Sequence, residues 1–279
     1  MKESIAVETR PTKRTSTDPP FLSWCMVVRD CGRDPEVLRK FEDTLKSLRE
    51  RAPEAEIVVV ETVSRALDEG RTIELAKKYA DVFEVYHGPR GDWNNEMAAV
   101  DDMSVARQRS FDLAHGRWRA WVDSDDRVIG GAEAETILRI NSRWCPPAPE
   151  GGKPHDVDVK EPVGIEDWLR ALEESHPEAT LIHCPYLYVH DEDYNAIQWH
   201  VRERFARWDD PTRFHWAEPA HEILVPRAGY IPPRVELPHL LWVHEKDWKN
   251  EEIAYSLKRH SEIVLKQHDA GDVTFRRAR

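Results

Sequence analysis

The segment WRAWVDSDD at 118–126 ends an apolar run with three carboxylates, Asp123, Asp125 and Asp126, around Ser124. A strand that runs into acids delivers them to the C-terminal edge of a parallel sheet, the edge at which open α/β folds bind ligands. One or two carboxylates held there suit a hard divalent cation such as Mg²⁺ or Mn²⁺, whose remaining positions take phosphate oxygens. The same triplet also serves as a solvated turn or a helix cap, so by itself it leaves both readings open.

Other chemistry is less well supported. Ten of the 13 histidines fall after residue 175, yet no H-E-x-x-H zinc motif occurs: His221 and Glu222 are followed by Ile223, Leu224 and Val225. After the first apolar run, CGRD at 31–34 is too short for a glycine-rich phosphate loop. The four cysteines, Cys25, Cys31, Cys145 and Cys184, form no C-x-x-C pair and read as reduced cytosolic thiols rather than a disulfide framework.

The elements that must position the acids alternate. Apolar runs of strand length at 22–28, 56–61, 82–86 and 118–122 are separated by helical patterns at 35–51, 73–80 and about 103–114. That order predicts a Rossmann-like, mostly parallel sheet with helices on both faces. Residues 1–20 are polar and proline-containing and read as a flexible leader. Residues 21–141 then form the first half of the fold, and 142–164, rich in Pro and Gly, form a loop or insertion. In the second half, 165–279, a helix is expected at about 165–174. Two strand-like runs at 180–190 and 198–208, with no helix between them, predict a smaller antiparallel extension, and a last helix is expected at about 250–268.

The chain has 279 residues, enough for one large α/β domain or two small ones. Its net charge of −12 argues against a nucleic-acid backbone as main partner, because phosphate binding rests on Lys and Arg. The mean hydropathy of −0.67 and the lack of a long apolar run or N-terminal apolar segment predict a cytoplasmic protein with no integral membrane contact. Eleven tryptophans against seven Phe and seven Tyr form a surplus that suits cores as well as platforms for sugars or bases. Four of them, Trp208, Trp216, Trp242 and Trp248, fall between 208 and 248.

Six segments in order resemble the family 2 glycosyltransferases of the GT-A fold, in particular a bacterial branch with SLCMIVKNE, VDTGSTD, ARNxA and DADDE landmarks. They are SWCMVVRD (23–30), VVETVSRALD (59–68), ARQRS (106–110), DSDDR (123–127), FHWAEPAHEIL (214–224) and HLLWVHEKDW (239–248). The resemblance covers about residues 21–268 apart from the insertion. It implies a GT-A-type α/β fold and a metal-dependent inverting glycosyltransferase of the hexosyl-transferring type. Such an enzyme carries a sugar from a nucleotide-diphosphate donor to an acceptor hydroxyl, with Mn²⁺ or Mg²⁺ as cofactor. The acceptor stays open among saccharide, protein, small molecule and modified nucleic acid, and so does the oligomeric state.

Residue by residue, the resemblance implies that Asp125 ligates the metal and that Asp123 contacts ribose or the metal shell, with Ser124 beside the donor. Val28 and Arg29 would line the nucleoside, and Glu61, in place of the usual Asp, would accept from ribose or a base edge. Trp93 would stand near the donor. Arg107 would meet the metal-binding acid or the diphosphate; otherwise it pairs on its helix with Asp101 or Asp102. Gln108 replaces the usual Asn and Val63 the usual Gly. Glu222 would be the catalytic base, with Glu218 the second choice and His221 orienting the pair or touching the donor sugar. His244 would be a third metal ligand, with His239 and Glu245 as the fallback. Two other classes fit less well: a nucleotidyltransferase, which would want the missing glycine loop, and a non-catalytic nucleotide-sugar binder, which would not need Asp125 and Glu222.

Overall fold

The computed structural model describes residues 13–29, 31–62, 70–86, 103–141, 164–217, 222–227, 234–236 and 240–245. In chain order the first half runs β1 (Leu22–Val28), α1 (Pro35–Arg51), β2 (Glu56–Thr62), α2 (Arg71–Tyr79), β3 (Val82–Tyr86), α3 (Met103–Leu113) and β4 (Trp118–Val122). Each of these elements is expected from the sequence, to within two residues at each end. Helix α1 starts where it does because Asp34 is extended and accepts from the Glu36 N–H at 2.7 Å, while Pro35 fills the first turn, where its missing N–H costs nothing.

Strands β5 (Asp126–Gly130) and helix α4 (Gly131–Ile140) follow, then α5 (Ile165–Ser175), β6 (Leu181–His190), β7 (Ala196–Arg207), β8 (Phe214–Ala217), β9 (Ile223–Pro226), β10 (Arg234–Glu236) and β11 (Leu240–His244). The large sheet has the order β3-β2-β1-β4-β7-β6-β11-β5, with β10 beside β6. Pairings among β1–β4 are parallel, as are those of β6 with β10 and β11. The β6–β7 ribbon is antiparallel and joins the parallel half through an antiparallel β4–β7 pairing. Strands β8 and β9 form a separate antiparallel pair. This is a mixed α/β fold, a mostly parallel sheet with helices and a small antiparallel adjunct.

Strand β1 is buried along its whole length, as a central strand of a covered sheet must be. Trp24, Trp118, Trp242 and Phe205 fill the main core, with the Phe205 and Trp242 rings edge-on at 5.4 Å. A second cluster packs Phe111 edge-on against Trp208 and Trp216, at 5.0 and 5.3 Å. Of the two roles open to the late tryptophans, Trp208, Trp216 and Trp242 take the core one, and Trp248 lies outside the described residues.

The approach of α3 to β1 needs Gly116. A Cβ there would lie 2.5 Å from both the backbone nitrogen and the hydroxyl of Ser23. Cys25, Cys31 and Cys184 are buried free thiols, and burial pushes each up in pKa, which leaves them unreactive. Of the polar leader, Thr15 and Ser16 hydrogen-bond the Glu54 carboxylate, and the Arg14 N–H bonds Asp81. No helix among the described residues is long and apolar enough to cross a membrane. The insertion up to residue 163 and the helix expected at 250–268 lie outside the described residues.

Candidate active site

The acids stand where β4 ends and the chain reverses into β5. The turn is closed by Asp126 N–H donating to the Asp123 carbonyl at 3.2 Å, and the Asp123 N–H returns a bond to Asp126 Oδ2 at 3.2 Å. Strand β11 then runs antiparallel to β5 so that His244 faces Asp126 in register. The Glu245 N–H donates to the Asp125 carbonyl at 2.8 Å and ties the two strand ends together. Residues 118 positions apart thus meet through one strand pairing.

Asp125, Asp126 and His244 offer ligand atoms that all lie within 4.8 Å of one another. His244 Nδ1 is 3.1 Å from Asp126 Oδ1 and 3.5 Å from Asp125 Oδ1. The Tyr186 hydroxyl, on β6, donates to Asp126 Oδ1 at 3.0 Å and sits 3.0 Å from His244 Nδ1. Burial disfavours the His244 imidazolium, but Asp125 and then Asp126 outweigh it and hold the ring above the usual histidine range. Tyr188 stacks on His244 at 5.0 Å, and burial, with help from the three acids, pushes its hydroxyl up to about 12.

Asp123 does not belong to this trio. Its Oδ1 accepts from Arg107 NH2 at 2.7 Å, and the same nitrogen reaches Glu222 Oε1 at 2.9 Å. Arg107 comes from α3, is 1% exposed, and lies against the faces of Trp121 and Trp216. Arg107 thus meets an acid that follows β4, while Asp101 and Asp102, its other candidate partners, lie outside the described residues. Burial works against the Asp123 carboxylate, yet Arg107 foremost, then Arg204 and His244, keep its carboxyl below the usual range. Gln108, the lengthened amide of ARQRS, accepts from the Trp216 N–H at 3.0 Å and anchors β8 to α3.

Val28 and Glu61 pair in register at the C-terminal ends of β1 and β2, both buried, so Glu61 does not face solvent. Arg29 follows directly, and the Ser124 carbonyl accepts from Thr44 of α1 at 3.1 Å. These residues share the sheet edge that carries Asp123 and Asp125. Trp93, Glu218, His221 and His239 lie outside the described residues. Glu245, named as a fallback, pairs with Arg127 at 2.9 Å.

The sequence reading passes over Asp126, Arg204, Tyr186 and Tyr188. Asp126 was visible in DSDD but indistinguishable from its neighbours there. Arg204 of β7 is fully buried, and the signal for it is a charge inside a strand, followed by Phe205 and Ala206.

No protein-family model matches the chain, and no curated protein does. Among solved structures, crystal structures of S. aureus TarS 1–349, alone and in complex with UDP-GlcNAc, match at 17% identity over 43% of this chain. Their TM-scores are 0.28 and 0.29, and the match spans 33% and 32% of those chains. The aligned part is about a third of the TarS chains, and a superposition that loose settles neither fold nor activity.

Proposed function

We propose that this chain is a metal-dependent inverting glycosyltransferase of the family 2 type, moving a sugar from a nucleotide-diphosphate donor to an acceptor hydroxyl. The observation that carries the reading is Arg107 NH2 joined at once to Asp123 and Glu222, next to the Asp-Asp-His group. Glu222 enters from the start of β9, far along the chain, and sits beside the acids that follow β4.

Two carboxylates and an imidazole within 4.8 Å are a donor set that fits Mn²⁺ or Mg²⁺. Asp125 and His244 would hold the cation, which supplies charge neutralisation for a leaving diphosphate. Glu222 acts as the base: Arg107 engages Oε1, and the carboxylate's other oxygen takes the acceptor proton. Arg107 orients Glu222 and Asp123, since a buried guanidinium holds two anions in fixed directions. Val28, Arg29, Glu61 and Ser124 line the donor's nucleoside side, with Trp93 nearby. Glu218 is the alternative base, and His221, next to Glu222 in the sequence, orients the pair or touches the donor sugar.

The test compares Asp125→Ala with Glu222→Gln by nucleotide binding and by transfer. Asp125→Ala loses metal-dependent binding of nucleoside diphosphate, and Glu222→Gln keeps binding but loses transfer by about 10²–10⁴-fold, the range of a general base. Equal binding by both variants and the native chain overturns the assignment of Asp125.

A further inference from the structure

Asp126 is fully buried, and its hydrogen-bonding capacity is spent. An ionised carboxylate offers about four lone-pair positions. On Oδ1 stand the Tyr186 hydroxyl at 3.0 Å and His244 Nδ1 at 3.1 Å; on Oδ2 stand the Asp123 N–H at 3.2 Å and Arg204 NH1 at 3.3 Å. Arg204 is 0% exposed, and its Nε and NH2 have no hydrogen-bond partner among the described residues. Its guanidinium lies 3.7 Å over the Trp121 ring and 4.1 Å over Tyr186, with Trp242 at 5.3 Å. A buried cation is tolerated only when paired, and the ion-pair partner of Arg204 is Asp126.

We infer that Arg204 is a positioning residue that locks Asp126 as an anchor for His244 and keeps it out of the metal's ligand set. Asp126 Oδ1 stands 3.1 Å from His244 Nδ1, and outer carboxylates in such a position orient metal-binding histidines. With both Asp126 oxygens occupied, the carboxylate of the group that takes the cation is Asp125, 3.5 Å from His244 Nδ1. The inference rests on the metal site proposed above and divides the labour within it.

The test titrates Mn²⁺ alone, without nucleotide, into the full-length chain and follows free Mn²⁺ by electron paramagnetic resonance. Arg204→Met/Asp126→Asn removes the ion pair without leaving a lone buried charge. It keeps Mn²⁺ binding, weakened by no more than the factor of about 10–100 that the loss of an outer partner costs, while Asp125→Ala loses binding. Arg204→Met alone removes the charged partner of Asp126 Oδ2, which keeps only the Asp123 N–H, in a site now short of one positive charge. It binds Mn²⁺ more tightly than the native chain, because a positive charge beside the cation is gone; if that variant does not fold, the double variant decides. Loss of Mn²⁺ by the double variant to the extent of Asp125→Ala, or binding by folded Arg204→Met no tighter than native, overturns the inference alone. A native chain without Mn²⁺ binding that depends on Asp125 overturns the metal site as well.

Discussion

Arg107→Met puts the central ion triad to a quantitative test. Arg107 is 1% exposed and holds Asp123 and Glu222 on a single nitrogen. Removing one partner of a fully buried pair costs about 3–5 kcal/mol, whereas an exposed pair is worth under about 1 kcal/mol. Here the acids keep 30% and 16% of their side-chain surface open, so water rehydrates part of what the guanidinium gave up. The expected loss at pH 7 is accordingly at the low end, about 3 kcal/mol.

The pH dependence separates charge from packing. The folded Asp123 carboxyl lies below its unfolded value of about 3.9. Its stabilisation is therefore fully present above that value and is lost as pH falls through the folded one. In the variant, protonation relieves two acids left facing each other. Both effects shrink the gap between native and variant below about pH 4. Urea unfolding followed by tryptophan fluorescence at pH 7 and pH 3.5 reads it directly. A gap under about 1 kcal/mol at pH 7, the worth of a surface pair, refutes the reasoning. So does a gap of the same size at both pH values, which would mean that only packing was lost.

Two further outcomes test the frame around the site. Gly116→Ala forces a methyl group against the Ser23 backbone, and thermal unfolding should show a loss of about 1–3 kcal/mol; an unchanged midpoint would mean that α3 and β1 move apart freely. Arg109 grips Glu84 with two bonds of 2.8 and 2.7 Å and, against the opposing effect of partial burial, holds its carboxyl below the usual value. Glu84→Gln should therefore cost under about 1 kcal/mol at pH 7, and the difference should vanish as pH falls below about 4, whereas a difference that grows in acid contradicts that sign.

The parallel half of the fold was legible because each of its elements carries its own period. EIVVVE is a β-branched run with no helical alternative, and Pro35 to Arg51 repeats its apolar residues at helical spacing behind an aspartate cap. The stretch after the acids was not legible. Strand β5 is only five residues long and exists through its pairing with β11, more than a hundred residues later, which no local pattern announces. For the same reason motif order assigned roles to Asp123, Asp125, Glu222 and His244 but did not show which side chains each one meets. Arg107 claims Asp123 and Glu222, and Asp126 takes the place beside His244, because of side-chain geometry set by three different strands and α3. Proximity in sequence to an acceptor segment says nothing about which face of a strand is covered, so core and platform could not be told apart for the late tryptophans; Trp242 sits in the core between Trp24 and Phe205.

The account stands most directly on donor turnover. The native chain, incubated with Mn²⁺ and a panel of nucleotide sugars, should release nucleoside diphosphate from one of them as water replaces the acceptor. Proton magnetic resonance should find the freed sugar first as the anomer opposite to that of the donor, and Glu222→Gln should abolish the release. No cleavage of any donor with any divalent ion, or cleavage that yields sugar phosphate in place of nucleoside diphosphate, would contradict it.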